Sequence, residues 1–177
     1  MKKLDTVLIL AAGYGSRMKK IGKNLPKCLF KYQNKTILDY IMEHLIKLGI
    51  KNINVAVGFR SSKIINELKK YKDFKFTFYQ VKNYKKVGSA YSWYLFKKIW
   101  EKKKRPLIIM HADIFFDYKL IENVKNSNNK NIISCVLKES NKIKVNGWTI
   151  KADSHNLIKE LKKKAVENPN LQEKLRV

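Results

Sequence analysis

Apolar and polar positions alternate along this chain between short buried-type runs and helical-period segments. Thr6-Val7-Leu8-Ile9-Leu10 is a β-branched apolar run ending in Ala11-Ala12-Gly13-Tyr14-Gly15, which predicts a buried strand followed by a glycine loop. Lys19 to Asn24, with Gly22 among polar residues, predicts a mobile loop before order resumes at Pro26-Lys27-Cys28-Leu29. Thr36 stands as a helix cap with Asp39 three residues on, a capping box with Asp in the Glu position. Ile37, Leu38, Ile41, Met42, Leu45 and Leu48 then recur at helical spacing, and Gly49 supplies a left-handed stop. Ile53 to Val57 predicts a second strand ended by Gly58. Ser61 or Ser62 is expected to begin a second helix carrying Ile64, Ile65 and Leu68.

Phe74, Phe76 and Phe78 alternate with Lys75, Thr77 and Tyr79, the period of a half-buried strand. Gly88-Ser89 opens a third helix running to Trp100, and Pro106 precedes a strand over Leu107 to Met110. This order of strands and helices predicts an α/β fold: three layers, α/β/α, around a mostly parallel, Rossmann-like sheet. Farther on, a short helix near Leu120 to Val124, a strand over Ile132 to Leu137 and a hairpin of Val145–Ala152 with Leu157–Leu161 are expected. The domain is read as residues 1–164, incomplete at its C-terminal end, with 165–177 as a tail of no clear pattern.

Composition changes this picture little. A 45% hydrophobic fraction excludes a disordered chain, and no apolar run reaches the roughly 18–20 residues of a membrane-spanning helix. Cys28 and Cys135 cannot make a disulfide framework, so they read as inert apolar residues and the expected setting is the reducing cytoplasm. The net charge of +25 would suit a polyanion binder. Of the 39 basic residues, however, four are arginines (Arg17, Arg60, Arg105, Arg176) and 35 are scattered lysines. Base and phosphate readout favours arginine, so a solvated lysine surface is the better reading and nucleic acid is not the expected partner. Tyr91, Trp93, Tyr94 and Trp100 read as helix packing and not as a base-stacking platform.

Ligands of open parallel sheets bind beyond the carboxyl ends of the strands. Three loops should meet there: Gly13-Tyr14-Gly15-Ser16-Arg17 after the first strand, Gly88-Ser89-Ala90 before the third helix, and His111-Ala112-Asp113 after the Leu107–Met110 strand. Glycines admit backbone N–H groups to anionic oxygens because no Cβ intervenes. The loop is not a Walker A motif, and Met18 stands where a dinucleotide fingerprint needs its third glycine. Arg17 and Lys27 flanking it suit a polyphosphate. Asp113 at a strand end is a natural Mg2+ anchor, with a helix N-cap as its plain alternative. His111 is either a rim residue or a packed one.

Leu10-Ala11-Ala12-Gly13-Tyr14-Gly15-Ser16-Arg17-Met18, followed by Leu25-Pro26-Lys27-Cys28-Leu29, resembles the signature of the nucleotidyltransferases that activate sugar phosphates and phosphocholine. Ile37 to Ile41, Val57-Gly58-Phe59, Gly88 to Ser92 and Asp113-Ile114 extend the resemblance from about Val7 to Lys163. It implies a glycosyltransferase-A-like fold, an NTP substrate, a small phosphorylated acceptor and Mg2+. By that resemblance the backbone of Leu10, Ala11, Ala12 and Gly13 contacts base and ribose. Gly15, Ser16 and Arg17 hold the triphosphate, Lys27 bridges both substrates' phosphates, Gly88 and Ser89 lie against the base, and Asp113 binds the metal. The segment Gly88 to Leu95 is closer to the choline-phosphate branch than to the Gly-Thr-Ala of hexose-phosphate enzymes, which makes CTP the expected nucleotide.

Members usually carry Gly where His111 and Ala112 stand. Asp153, on the predicted hairpin turn, is a poor match for the family's second metal-binding Asp. Two other readings therefore stay open: an NTP-binding chain of little turnover, and a basic nucleic-acid-binding domain.

Overall fold

The structure, a computed structural model, describes residues 4–18, 22, 24–103, 106–126, 148–152 and 158–163. In chain order the elements are β1 (Thr6–Ala11), β2 (Lys31–Tyr32), β3 (Lys35–Thr36), α1 (Ile37–Lys47), β4 (Asn52–Val57), α2 (Ser61–Leu68), β5 (Lys75–Gln80), α3 (Ser89–Lys103), β6 (Ile108–His111), α4 (Tyr118–Asn126), β7 (Trp148–Ala152) and β8 (Ile158–Lys163). The chain divides into two compact units, Met1–Ile132 and Ile133–Val177.

In the first unit four strands pair in parallel in the order β5-β4-β1-β6. The sequence is mostly parallel α/β, as expected. β1 is central, and Val7, Leu8 and Ile9 are fully buried, which is why it reads as an unbroken apolar run. β5 lies at the edge of this sheet, so its residues alternate. Winding runs from β1 outward to β4 and β5, then returns to the other side of β1 with β6. The reversal puts a topological switch point between the carboxyl ends of β1 and β6.

Helices cover both faces. Val7, Ile9, Val55 and Val57 meet Leu38, Ile41, Met42 and Leu45 of α1, Ile64 and Leu68 of α2, and Ile121 of α4. Leu8, Ala12, Ala56 and Val81 meet Phe96 of α3, with Trp93, Tyr91 and Trp100 partly buried around it. Those aromatics pack as expected, while Tyr94 stays exposed. The α1 capping box is complete: Thr36 Oγ1 accepts the Asp39 N–H at 3.0 Å and Asp39 Oδ2 accepts the Thr36 N–H at 2.9 Å. Gly49 ends the helix region at φ +67°.

Several local features add to these expectations or correct them. α2 begins at Ser61 as expected, and the residue before it, Arg60, takes the cap position with φ 49° and ψ 40° and no side-chain cap bond. Of the loop expected over Lys19–Asn24, residues 19–21 and 23 lie outside the described residues; Gly22 is buried, and a Cβ there would lie 2.6 Å from that of Met18, so glycine is what lets the two segments touch. The β2–β3 hairpin went unpredicted because its strands are two residues long. It turns on Gln33 and Asn34, both at positive φ. Asp117, not Asp113, caps α4, its carboxylate accepting the Lys119 N–H at 2.9 Å.

The second unit contains the expected hairpin, β7 antiparallel to β8 with a register shift at Lys151/Ala152. The strand expected over Ile132–Leu137, Cys135, Asp153 and the 165–177 tail lie outside the described residues. No helix among the described residues is long and apolar enough to cross a membrane.

Candidate active site

The root of the glycine loop is stitched to both neighbouring strands. The Leu10 carbonyl accepts the Ala112 N–H at 3.1 Å, and the Ala12 carbonyl accepts the Phe59 N–H at 3.1 Å. Gly58 makes the second bond feasible, since a Cβ on it would come 2.7 Å from the Ala12 oxygen and 2.9 Å from Tyr84 Cβ. Beyond the strand, Gly13 is exposed and faces open space. Gly15 takes φ +67°, and a Cβ there would press on Lys27 Cε at 3.1 Å. Glycine at 15 therefore serves two needs at once, the left-handed backbone and the lysine stem lying along it.

Lys27 opens a 3-10 turn, Lys27–Leu29, whose next two residues are buried. Cys28 and Leu29 anchor the turn in the core while Lys27 points to the rim. Asp113 is held in the same way by buried Ala112. Lys27 Nζ lies 3.2 Å from Asp113 Oδ2, each side chain about one-third exposed at 32% and 35%. An exposed pair of this kind contributes roughly 0–1 kcal/mol, so exchanging it for phosphate oxygens and a cation costs little. Two residues 86 positions apart thus meet at the switch point, the place where the fold offers a ligand site.

Ser16 is exposed in the turn Ser16–Met18, which the Met18 N–H closes on the Gly15 carbonyl at 2.8 Å. Arg17 places its backbone in that turn. Ala11 and Ala12 are buried under the loop. Gly88 and Ser89 are exposed on the same rim at the start of α3, next to Val87, which packs in the cluster that holds Ala12. His111 is exposed, the rim alternative and not the packed one.

Two features were not foreseen. Tyr14 stands edge-on to Phe59 at 4.9 Å and beside Tyr84 at 6.3 Å, with Lys85 Nζ 5.4 Å from its ring. Gly58, immediately after a strand, was the sequence signal for that close approach. The other is the set of contacts that Arg60 and Lys63 make with Asn24.

Burial pushes the Cys28 thiol up to about 12, so it is no nucleophile. Among the described residues no three His, Cys, Asp or Glu gather to cage a metal. An exposed carboxylate beside a phosphate-type loop instead suits Mg2+, which takes one or two carboxylates and completes its shell with substrate oxygens and water. A separate cavity of about 420 Å3 opens at the other end of the sheet, over Thr6, Asn52, Asn54, Thr77 and Tyr79. Its central polar groups satisfy one another: the Asn54 amide donates to the Val7 carbonyl and accepts from the Tyr79 hydroxyl.

Residues 6–174 match the family model described as nucleotidyl transferase. The chain belongs to that family. It is 36% identical over 123 residues to CTP:phosphoglutamine cytidylyltransferase of Campylobacter jejuni, covering 68% of this chain and 48% of that protein. It is 31% identical over 142 residues to mannose-1-phosphate guanyltransferase of Yarrowia lipolytica, covering 76% and 39%. A nucleotidyltransferase chain thus spans half or less of the length of these curated relatives. In fold it is similar to the CTP:phosphocholine cytidylyltransferase of Streptococcus pneumoniae, with a TM-score of 0.66 at 21% identity over 92% of this chain and 65% of that one.

Proposed function

We propose that this nucleotidyltransferase chain moves a nucleoside monophosphate from an NTP, with CTP as the preferred nucleotide, to a phosphorylated small molecule. Pyrophosphate is released. The reading rests on one observation above all, the meeting of Lys27 and Asp113 beside the glycine loop. The preference for CTP is supported by the cytidylyltransferase relatives and the Gly88 to Leu95 segment. Phosphocholine-like compounds and sugar phosphates are the acceptor classes, and the product serves surface polysaccharide or lipid decoration from the cytoplasm.

In the reaction an acceptor phosphate oxygen forms a bond to the α-phosphorus as the α–β anhydride bond breaks in line, and pyrophosphate carries off the electron pair. No covalent enzyme intermediate is required. Backbone of Leu10 to Gly13 with Gly88 and Ser89 receives the nucleoside. Gly15, Ser16 and Arg17 grip the triphosphate. Lys27 leaves Asp113 and bridges the phosphates of both substrates. Magnesium, which Asp113 would hold, supplies neutralising charge on the phosphates when bound. Catalysis is alignment plus charge neutralisation.

The test is pyrophosphate release from each NTP in turn with phosphocholine, phosphoglutamine and hexose 1-phosphates. Release with CTP and one acceptor class is the expected result. Silence across the panel together with no NTP binding overturns the reading.

A further inference from the structure

Arg60 is placed against local preference in three ways. It is a non-glycine residue at φ 49°, ψ 40°, in the left-handed region. It fills the cap position of α2 without capping it, where Ser, Thr, Asp or Asn would satisfy a free N–H. It also puts a cation at a helix N-terminus, joined there by Lys63 and with no acid in the first turn. Backbone strain of this kind persists where the surroundings hold it, and it concentrates at functional sites.

The contacts show what the placement achieves. Arg60 Nη2 donates to Asn24 Oδ1 at 3.1 Å, and Lys63 Nζ donates to the Asn24 backbone carbonyl at 2.9 Å. Both acceptors of one asparagine are thus taken by cations from the first turn of α2. Asn24 stands three residues before Lys27, and between them Leu25 packs on the core and Pro26 is buried. The link from Asn24 to Lys27 is therefore short and stiff. The Arg60 guanidinium also lies 5.8 Å from the Phe59 ring, which abuts Tyr14 inside the glycine loop.

We infer that Arg60, with Lys63, fastens Asn24 and so sets the position of Lys27 against Asp113, making Arg60 a positioning residue for triphosphate binding and turnover. This rests on the nucleotidyltransferase reading above. Each of the two bonds is exposed and individually modest, but together they act on a segment that buried Pro26 and core-packed Leu25 already stiffen. A small displacement of a phosphate-bridging lysine is enough to slow a reaction that depends on alignment.

The decisive variant is Arg60→Gly, because glycine accepts the left-handed backbone and removes only the side chain. Its thermal midpoint should equal or exceed that of the parent, while kcat/KM for the NTP should fall about tenfold. Asn24→Ala should fall by a similar factor. The double variant should be no worse than either single one, since both cut the same fastening. Hydrogen exchange at the Leu29 and Phe30 amides, which close the Lys27 turn, should quicken in both single variants with or without nucleotide. Multiplying effects in the double variant would mean that Arg60 meets the phosphates directly, and would overturn the inference. A lowered thermal midpoint in Arg60→Gly with unchanged kcat/KM would leave Arg60 a structural residue, with the same consequence. Unchanged exchange shows that Asn24 is not fastened, whatever the nucleotide does. Faster exchange in a protein whose parent binds no NTP keeps the fastening but overturns its role in nucleotide positioning, along with the proposed activity.

Discussion

Two aspartate–lysine pairs among the described residues, Asp39 with Lys70 and Asp113 with Lys27, look alike on paper and differ in their physics. Asp39 is 8% exposed and held by three donors: it accepts from the Thr36 N–H, from the Tyr71 hydroxyl at 2.7 Å and from Lys70 at 2.6 Å. Burial alone would raise its pKa, but those donors outweigh it and hold the carboxyl down at about 2. Asp113 is exposed, and Lys27 at 3.2 Å is its partner among the described residues. The first carboxylate joins α1 to the segment after α2 and is enclosed by donors from three residues. The second keeps acceptor capacity facing the rim. A buried charge held by several donors serves the fold, and an exposed one between two loops is free to serve a ligand.

The sharpest way to break this contrast is to remove each pair and read both stability and activity. Lys27→Met should cut turnover on the order of 10²–10³-fold, comparable to losing one preorganised donor. The same variant should shift unfolding free energy by no more than about 1 kcal/mol, because the pair is exposed. A denaturant titration beside a pyrophosphate assay checks both halves. Asp39→Ala should do the reverse. Losing half the capping box and the Tyr71 acceptor should cost about 2–3 kcal/mol in a denaturant titration, with NTP affinity unchanged.

The acid limb of stability sharpens the comparison further. Asp39 drops from 3.8 to about 2 on folding, so its contribution is complete above about pH 4 and is lost as pH falls toward 2. The parent should lose about 2 kcal/mol more over that interval than Asp39→Asn does, measured by unfolding at pH 7 and pH 2. The smallest effect belongs to Gly49→Ala. Nothing lies within 4 Å of an added Cβ, so only the positive φ is penalised, by about 1 kcal/mol in the same unfolding assay.

The sheet, the α1 cap and the Gly49 stop were legible in the sequence because each follows from a local period or a single residue's backbone preference. So was the proximity of Lys27 and Asp113, though only through topology: the parallel order sends both loops to one rim. What escaped depends on contacts between segments distant in sequence. Gly58, just after a strand, signals a close approach, but nothing near it names the Ala12 carbonyl as the group that lies there. Nothing near Arg60 announces Asn24, 36 positions away. The two-residue strands of the β2–β3 hairpin are too short to show a period.

The most direct measurement is calorimetric binding of CTP to the parent and to Asp113→Asn, each with and without magnesium. A nucleotide seated on the rim beside Lys27 and Asp113 predicts that magnesium tightens binding to the parent by about tenfold or more and that the substitution abolishes this gain. Equal magnesium enhancement in both proteins would contradict it, because the metal and the triphosphate would then lie somewhere other than the switch point of the sheet.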